Sequence, residues 1–425
     1  MNITPLRHLI IYYSILFVSI FGIIIFTYFN IFFYIITMTQ IQYHQLSPES
    51  TSDQYTPYQT IDYVLNVPGR KLVKNSIRIE GRVVARTNTT ATWLPDTAQG
   101  DCSAINASDN IKIDNMIGSH CFWDSWTCET QSKGVLETLQ QYPRFVSQHA
   151  RATLAPDDMN TAKMVAEQRG PTELNGNIVL QPIVDQAFLS GGAEQPSQRS
   201  KPGFSIKPMI CFNRSAGGDY SFDRNGFIRI SGILAANSQA LFAGDANTNY
   251  VLEDLVCRFV TTPDDGVDQP MLMRSYVSVV SSINSTSSTI SARVPSSQVS
   301  SVSVTFAQQS HLRSPEFNSY ALESIPKWDS IEYLFANSLQ NFITYTIRDE
   351  DDALLRGLSA LESAGHSTVS ADNLRANKSM IMGLDFQSYV DLSKQKFTIN
   401  LKILDSSVTQ EPFDAFCMFH NIIEM

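Results

Sequence analysis

The feature that most constrains this chain is a long series of short segments in which apolar and polar residues alternate. Residues 61–67 read IDYVLNV, and residues 76–84 place Ile77, Ile79 and Val83 on one face. A period of two residues is typical of a strand with one buried face. Similar segments, separated by turns with Gly, Pro, Asn or Asp, lie at residues 111–117, 227–234, 250–261, 276–283, 299–306, 331–335, 342–348, 397–403 and 415–423. The chain is therefore predicted to be mainly β.

Helical patterns are few and short by comparison. Residues 135–146 have apolar side chains close to a 3.6-residue spacing. Residues 349–361 begin with DEDD, which places negative charge where a helix N-terminus favours it. Many short strands connected by two or three short helices predict β-sandwiches or jelly rolls.

The first 37 residues differ in composition from the rest of the chain. Residues 9–36 contain no charge, and as a helix they would extend about 42 Å, enough to cross a hydrocarbon core. Arg7 is the only charged residue among residues 1–37. Three interpretations are open: a membrane anchor with Arg7 on the cytoplasmic side, a cleaved signal peptide, or a start assigned upstream of a true start at Met38. The fold prediction does not depend on the choice.

A turn-rich break at residues 262–270 (TPDDGVDQP) divides the remaining chain. Residues 38–57 are polar, contain Pro48 and Pro57, and are predicted to form an arm or linker. The predicted organisation is an apolar N-terminal segment (1–37), a polar arm (38–57), a first β domain with long loops (58–265) and a second β domain (271–425).

The charge of the chain argues against one class of function. Lys and Arg number 31 against 41 Asp and Glu, which gives a net charge of −10. A protein that coats nucleic acid needs a cationic surface to neutralise phosphates. No sequence-specific nucleic-acid partner is therefore predicted.

The sequence contains no motif for nucleotide binding, metal binding or nucleophilic catalysis. His120, Cys121 and Cys128 are the nearest approach to a metal cluster, but they lack the second ligand pair of a zinc site. The acidic run at residues 349–352 is better explained by capping of a helix than by metal or acid–base chemistry. No catalytic, cofactor-binding or metal-binding residue is predicted, and the protein is not predicted to be an enzyme.

Two further groups of residues have both a functional and a structural interpretation. Trp123 and Trp126 have the flat faces of a carbohydrate platform, but packing in the core or at a subunit interface is favoured. The cysteines are expected to be free thiols of a protein made inside a cell rather than a disulfide framework. They are Cys102, Cys121, Cys128, Cys211, Cys257 and Cys417.

Four stretches, taken in order along the chain, carry a family resemblance. They are residues 118–123 (GSHCFW) with 134–137 (GVLE), residues 223–230 (DRNGFIRI) with 250–255 (YVLEDL), residues 326–333 (PKWDSIEY) with 342–345 (FITY), and residues 395–399 (QKFTI) with 416–420 (FCMFH). Their order and pattern resemble the major capsid proteins of icosahedral double jelly-roll viruses, the lineage of adenovirus hexon, tectiviruses, virophages and large DNA viruses. The resemblance spans about residues 58–425, and this family has no invariant catalytic motif.

The resemblance implies two consecutive eight-stranded jelly rolls, a double jelly roll, with a few short helices in loops. It implies a structural protein of the virion, made in the host cell, whose homotrimers are pseudo-hexameric capsomers of an icosahedral shell. The implied partners are neighbouring capsomers, penton proteins, minor capsid proteins and, through residues 9–36, an internal viral membrane. Long loops such as residues 147–225 are expected to form towers or intersubunit contacts.

The residues also leave two other classes of protein open. One is a membrane-anchored surface β-sandwich, an adhesin or receptor-binding module held by residues 9–36. The other is a carbohydrate-active enzyme on a β-sandwich, for which no carboxylate pair stands out. An anchored surface protein is expected to contain disulfides and occupied glycosylation sites, whereas a capsid protein is expected to contain neither.

Overall fold

The computed structural model describes residues 41–50, 52–86, 112–154, 166–169, 181–182, 203–242, 249–267, 269–336, 341–365, 374 and 379–425. The apolar segment at residues 1–37, Cys102 and much of the predicted loop at residues 147–225 lie outside this part of the chain. Among the residues in these ranges, none belongs to a helix with the length and apolar character that a membrane crossing requires.

The first half of the molecule contains two antiparallel sheets. Its strands, numbered along the chain, are β1 (Gln42–Leu46), β2 (Gln54–Tyr55), β3 (Thr60–Leu65), β4 (Arg70–Leu72), β5 (Arg78–Arg86), β6 (Lys112–Ile113), β7 (Trp123–Thr130), β8 (Gly134–Leu139), β9 (Gln181–Pro182), β10 (Gly203–Ile206), β11 (Ser215–Gly217), β12 (Tyr220–Ser221), β13 (Ile228–Leu234) and β14 (Asn249–Pro263). One sheet has the order β10-β5-β14-β4-β12, with β1 and β2 also paired to β14. The other has the order β3-β13-β7-β8, while β6 and β9 form a separate pair.

The second half contains two more antiparallel sheets. Its strands are β15 (Met271–Ile283), β16 (Ser287–Ala292), β17 (Val299–Gln308), β18 (Trp328–Ala336), β19 (Asn341–Ile347), β20 (Met382–Val390), β21 (Lys396–Ile403) and β22 (Phe413–Glu424). One sheet has the order β11-β15-β22-β17-β20, so that it takes its edge strand β11 from the first half. The other has the order β16-β21-β18-β19.

Both halves have the same strand order. When the main strands of each half are numbered one to eight, one sheet reads 1-8-3-6 and the facing sheet reads 2-7-4-5. These strands are β1, β3, β5, β7, β8, β10, β13 and β14 in the first half and β15 to β22 in the second. Two facing sheets with this Greek-key order form a jelly roll. The predicted mainly β fold, a double jelly roll, is confirmed.

Alternating side chains explain why these segments form strands. In β13, Ile228, Ile230 and Leu234 point into the first core, whereas the alternate residues Arg229, Ser231 and Ile233 are exposed or half-buried. In β21, Phe397 and Ile399 point into the second core in the same way. Burial of one apolar face favours each strand in its observed register, because a one-residue shift would turn that face to solvent.

Four helices connect the strands of the described chain: α1 (Tyr142–Thr153), α2 (Phe222–Asn225), α3 (Asn237–Ala240) and α4 (Glu350–Ser363). Short 3-10 turns lie at Gly118–Phe122, Cys211–Asn213 and Ser406–Thr409. The helix predicted at residues 349–361 is confirmed as α4. Asp349 is its N-cap, and its Oδ1 accepts a hydrogen bond from the backbone N–H of Asp352 at 2.7 Å.

The helix predicted over residues 135–146 is wrong in its first half. Residues 134–139 form β8, which pairs with β7. Gln141 then adopts a left-handed conformation (φ 56°) and Pro143 lies in the first turn of α1. Pro is favoured at the start of a helix, where its missing N–H costs no hydrogen bond. The helix therefore begins seven residues later than predicted.

Two other predictions are corrected. The strand expected at residues 111–117 is limited to β6, because Oδ1 of Asp114 accepts hydrogen bonds from the N–H groups of Met116 and Ile117 and turns the chain. The arm or linker expected at residues 38–57 contains two strands, β1 and β2, which pair with β14. The strands predicted from alternation did not include β4, β7, β9, β10, β11, β12, β16 and β20.

Candidate functional site

The junction between the two rolls is the most unusual part of the molecule. We call β15, β22, β17 and β20 the inner sheet, because its central strands are buried on both faces. In β22, Ala415, Cys417 and Phe419 belong to the second core, whereas Phe416 and Met418 belong to the first. One strand therefore contributes alternate side chains to both cores.

The corresponding sheet of the first roll differs. We call β1, β14, β5 and β10 the outer sheet, because one of its faces carries charged residues exposed to solvent. Arg258 Nε lies 2.7 Å from Glu80 Oε2, and Arg82 Nε lies 3.4 Å from Asp254 Oδ2. These residues line an open groove of about 1110 Å³. The outer sheet thus has one polar face exposed to solvent.

Helix α1 connects the first roll to the second. Arg144 Nη2 donates to the backbone oxygen of Ser319 at 2.5 Å, and Ser147 Oγ donates to that of Tyr320 at 2.8 Å. The guanidinium carbon of Arg144 lies 4.0 Å from the ring centre of Phe416 in β22. Burial lowers the pKa of Arg144 to about 10, so that it remains charged at neutral pH. Its hydrogen bonds and ring contact hold the helix against the inner sheet.

A polar chain crosses the same junction. Gln148 Oε1 accepts a hydrogen bond from Ser303 Oγ at 2.8 Å, and Gln148 Nε2 donates to Thr305 Oγ1 at 3.2 Å. Ser303 Oγ is also 2.8 Å from His420 Nε2, which is the donor because the Ser303 proton is directed to Gln148. Burial, followed by the charge of Arg214, lowers the pKa of His420 to about 3. His420 is therefore neutral at physiological pH.

A buried ion pair completes the junction. Arg151 Nη2 donates to Asp114 Oδ2 at 2.7 Å, and Asn318 Nδ2 donates to the same oxygen at 2.7 Å. Burial alone would raise the pKa of Asp114, but the charge of Arg151 and these hydrogen bonds outweigh it and hold the pKa below its usual value. The charge on each side of this pair is satisfied, which a buried ion pair requires.

Trp123 and Trp126 are fully buried and belong to the first core, as the favoured interpretation predicted. Their rings stack with centres 4.4 Å apart. A Cβ atom at Gly232 in the neighbouring strand would lie 2.6 Å from the Trp123 ring and 2.8 Å from the Trp126 ring. The ring pair therefore requires a residue without a side chain at position 232. A buried pair offers no face to a carbohydrate.

Among the described residues, no group of possible metal ligands contains His120 and Cys121 with Cys128, the nearest approach to a metal cluster in the sequence. His120 Nδ1 is 2.7 Å from Tyr142 Oη, and His120 Nε2 is 3.5 Å from Glu167 Oε2. Cys121 and Cys128 are buried free thiols, as are Cys211, Cys257 and Cys417. The prediction of free thiols is confirmed for these five residues.

A different combination of side chains, which the sequence did not single out together, comes close in space. Cys128, Glu137 and Cys211 place a side-chain sulfur or oxygen atom within 4.8 Å of one another. Glu137 Oε1 accepts from the Cys211 N–H at 2.6 Å, and its Oε2 accepts from Ser275 Oγ at 2.7 Å. Burial raises the pKa of Cys128 to about 11, so its thiol is protonated at neutral pH. The carboxylate links β8 to β15 and forms another contact between the rolls.

The arrangement of the two rolls is similar to that of solved viral proteins. No family model matches the chain, and no curated protein matches it. The major capsid protein of Faustovirus aligns with a TM-score of 0.52 and 9% identity, covering 91% of this chain and 90% of that one. VP54 of PBCV-1, in a crystal structure fitted into a cryo-electron microscopy reconstruction of the virophage Sputnik, aligns with a TM-score of 0.54 and 8% identity, covering 91% and 94%. The chain has a double jelly-roll fold that is similar to that of a viral major capsid protein.

Proposed function

We propose that this chain is a structural protein of an icosahedral viral capsid, its major capsid protein. The observation that carries the proposal is the repetition of one jelly-roll strand order in two rolls. The similarity in fold to the Faustovirus major capsid protein, over nine-tenths of each chain, supports it. Because a fold alone does not define a function, the state of assembly is the property that tests the proposal.

The proposed unit of assembly is a homotrimer that acts as a pseudo-hexameric capsomer. Two rolls per chain give six per trimer, so a trimer can occupy a six-fold position in a flat lattice. Edge strands β8 and β20 carry exposed apolar side chains, Val135 (61% exposed) and Tyr389 (59% exposed). Exposed strand edges with apolar residues promote aggregation unless a partner covers them. We propose that trimer formation covers them, with on the order of 2,000 Å² or more buried.

The proposed location is the virion, and the proposed partners are neighbouring capsomers, penton proteins and minor capsid proteins. We propose rolls at residues 58–265 and 271–425, with the first strand position of the first roll supplied by β1 and β2 from residues 38–57. An internal viral membrane is a proposed partner only of a chain that retains residues 9–36.

The experiment is sedimentation velocity at low and high salt on the full chain and on a variant that begins at Met38. We expect trimers in both salt conditions, because apolar burial is not screened by ions. We expect larger assemblies to increase with salt, because trimers of a chain with a net charge of −10 repel one another until they are screened. The Met38 variant separates the effect of residues 1–37 from that of the rolls.

A stable monomer of the Met38 variant at micromolar concentration would contradict the capsid proposal. Trimers that form only with residues 1–37 present would assign assembly to that segment and not to the rolls. Circular dichroism on each sample distinguishes a folded monomer from a misfolded protein.

A further inference from the structure

Two thiols and a carboxyl group converge inside the first roll. Cys128 lies in β7, Glu137 lies in β8, and Cys211 begins the 3-10 turn at Cys211–Asn213. In the pairing of β7 with β8, Cys128 is directly opposite Glu137. The backbone N–H of Cys211 donates to Glu137 Oε1. Strand pairing therefore holds two of the three side chains together, and the turn adds the third.

The spacing of these three groups suits a tetrahedral metal ion. One sulfur or oxygen atom from each residue lies within 4.8 Å of the other two. Zn–S bonds of about 2.3 Å and Zn–O bonds of about 2.0 Å place ligand atoms roughly 3.5–3.8 Å apart. Small rotations of the side chains are enough to reach that separation. Hydrogen bonds already connect the Cys128 thiol with the side chains of Cys211 and Glu137, so a metal ion would replace the protons of these contacts.

The charge of the group is compatible with this exchange. Burial raises the pKa of both thiols, that of Cys128 to about 11, so each thiol carries a proton at neutral pH. A thiol that coordinates a metal ion loses its proton. A divalent cation that displaces two protons leaves the net charge of the group unchanged. The guanidinium of Arg214 opposes the charge of Glu137, so the bound ion would need no further counter-charge.

The carboxyl group of Glu137 is held in place by donors other than the thiols. Its Oε1 accepts from the Cys211 N–H at 2.6 Å, and its Oε2 accepts from Ser275 Oγ at 2.7 Å. Each carboxylate oxygen can accept more than one contact, so both bonds can persist when a metal ion binds. Hydrogen bonds of this kind orient carboxylates that bind metal ions. Because Ser275 lies in β15, the bond also connects the group to the second roll.

We propose that Cys128, Glu137 and Cys211 bind one zinc ion, which acts as a structural ion inside the first roll. Two sulfur ligands favour zinc over Mg²⁺ and Ca²⁺, whose ligands are oxygen atoms. Zinc also binds to three protein ligands where a water molecule completes the tetrahedron. The three residues are buried, so the ion enters while the chain folds. The proposal is independent of the capsid role, because all three ligands lie in one chain.

The test uses the full chain, produced without an affinity tag in minimal medium with Co²⁺ as the only added transition metal. Cobalt replaces zinc in such sites and makes its ligands visible. We expect elemental analysis to find one cobalt ion per chain. We also expect a sulfur-to-cobalt charge-transfer band in the near ultraviolet, which the wild type shows only if thiolates bind the ion.

Three variants and a control locate the ion. Cys128→Ala and Cys211→Ala should each lower the cobalt content about tenfold or more and remove the band. Cys257→Ala is the matched control, because Cys257 is also a buried free thiol but lies in β14, outside the group. It should retain the ion and the band. Ser275→Ala keeps all three ligands but removes a donor to Glu137, and should weaken retention of the ion against a chelator about tenfold.

A folded wild type without cobalt would overturn the proposal, as would bound cobalt without the charge-transfer band. Equal cobalt content and equal bands in the wild type and both cysteine variants would place the ion elsewhere and overturn it too. Circular dichroism shows which variants are folded. If the cysteine variants do not fold, Ser275→Ala decides, because unchanged retention of cobalt in that variant would contradict the role given to Glu137.

Discussion

The inner sheet and the outer sheet occupy the same positions in two rolls of equal strand order, yet they meet different surroundings. In the outer sheet, the face of β14 that points away from its own core carries Arg258 and Asp254, which are exposed. In the inner sheet, the equivalent face of β22 carries Phe416 and Met418, which are buried in the core of the other roll. Whether the face that points away from a sheet's own core is polar or apolar therefore depends on where the sheet lies in the whole molecule. It does not depend on the position of the sheet within its roll.

This difference has a consequence for stability. Because β22 contributes to both cores, disruption of one core removes contacts from the other. The two rolls are therefore expected to unfold together in one transition. Substitutions in the inner sheet should lower the free energy of unfolding far more than substitutions in the outer sheet.

The largest expected effect comes from the second face of β22. Phe416→Ala should lower the free energy of unfolding by about 4 kcal/mol, because it leaves a cavity against the first core and removes the ring below Arg144. Arg258→Ala, at the corresponding strand of the outer sheet, should change it by less than about 0.5 kcal/mol. Urea denaturation followed by Trp fluorescence measures both. Equal costs for the two variants would show that the sheets do not differ as described.

The second prediction compares a buried ion pair with an exposed one. Arg151→Met leaves the Asp114 carboxylate buried without its cation, and should cost about 3 kcal/mol. Arg82→Met breaks the exposed pair with Asp254 and should cost less than about 1 kcal/mol. The same urea experiment applies. If Arg151→Met lowers the free energy of unfolding as little as Arg82→Met does, the structural role of the junction is contradicted.

The third prediction concerns Gly232, where an added methyl group meets the stacked Trp123 and Trp126 rings. Gly232→Ala should cost about 2 kcal/mol, because the rings must shift. Gly203→Ala is the matched control, since its new Cβ would meet its nearest neighbour at 3.7 Å, an ordinary contact. The expected change for the control is within about 0.5 kcal/mol. Thermal unfolding of the two variants at one protein concentration compares their stabilities. If Gly232→Ala is as stable as the wild type, the tight packing of the two rings is ruled out.

The fourth prediction concerns pH. His420 in the inner sheet has its folded-state pKa lowered to about 3, below the value of 6.5 that it has when exposed. Between these two pH values His420 binds a proton in the unfolded chain but stays neutral in the native state. The free energy of unfolding therefore falls as the pH drops from about 6.5 towards 3. The contribution is about 1.4 kcal/mol per pH unit in that window. His420→Gln should flatten this part of the stability curve, measured by urea titrations between pH 7 and pH 4.

His44 in β1 of the outer sheet supplies the control for this titration. Its pKa is lowered by partial burial and then by the charge of Arg70, but it lies near the surface. His44→Gln should change the slope much less than His420→Gln. Equal slopes in the wild type and in His420→Gln would show that His420 does not titrate on unfolding.

Much of the fold could be predicted from the sequence because alternation is a local property. The strands around Ile228–Leu234 and Lys396–Ile403 each bury one face, and their pattern is visible within seven or eight residues. Strand β8 was not recognised from the sequence, because Val135 points outward and Glu137 points inward, against the usual pattern. Strand β16 has few apolar residues, and its pairing with β21 stabilises it.

The junction could not be predicted, because its partners lie far apart along the chain. Arg144 and Arg151 lie on the same helix. The partner of Arg144 is Ser319, which lies 175 residues later in the chain. The partner of Arg151 is Asp114, which lies 37 residues earlier. No local pattern connects such residues. The apolar run around Phe416 did indicate a strand. A continuous apolar run favours a strand that is buried on both faces, as β22 is.

The most direct test of the capsid proposal is cryo-electron microscopy of the purified full-length protein. The account predicts particles with a three-fold axis and six lobes of similar size, two from each chain, and flat or closed arrays of these particles at high salt. Single chains, or assemblies without a three-fold axis at both low and high salt, would contradict the proposal that two rolls of equal strand order are the building unit of a shell.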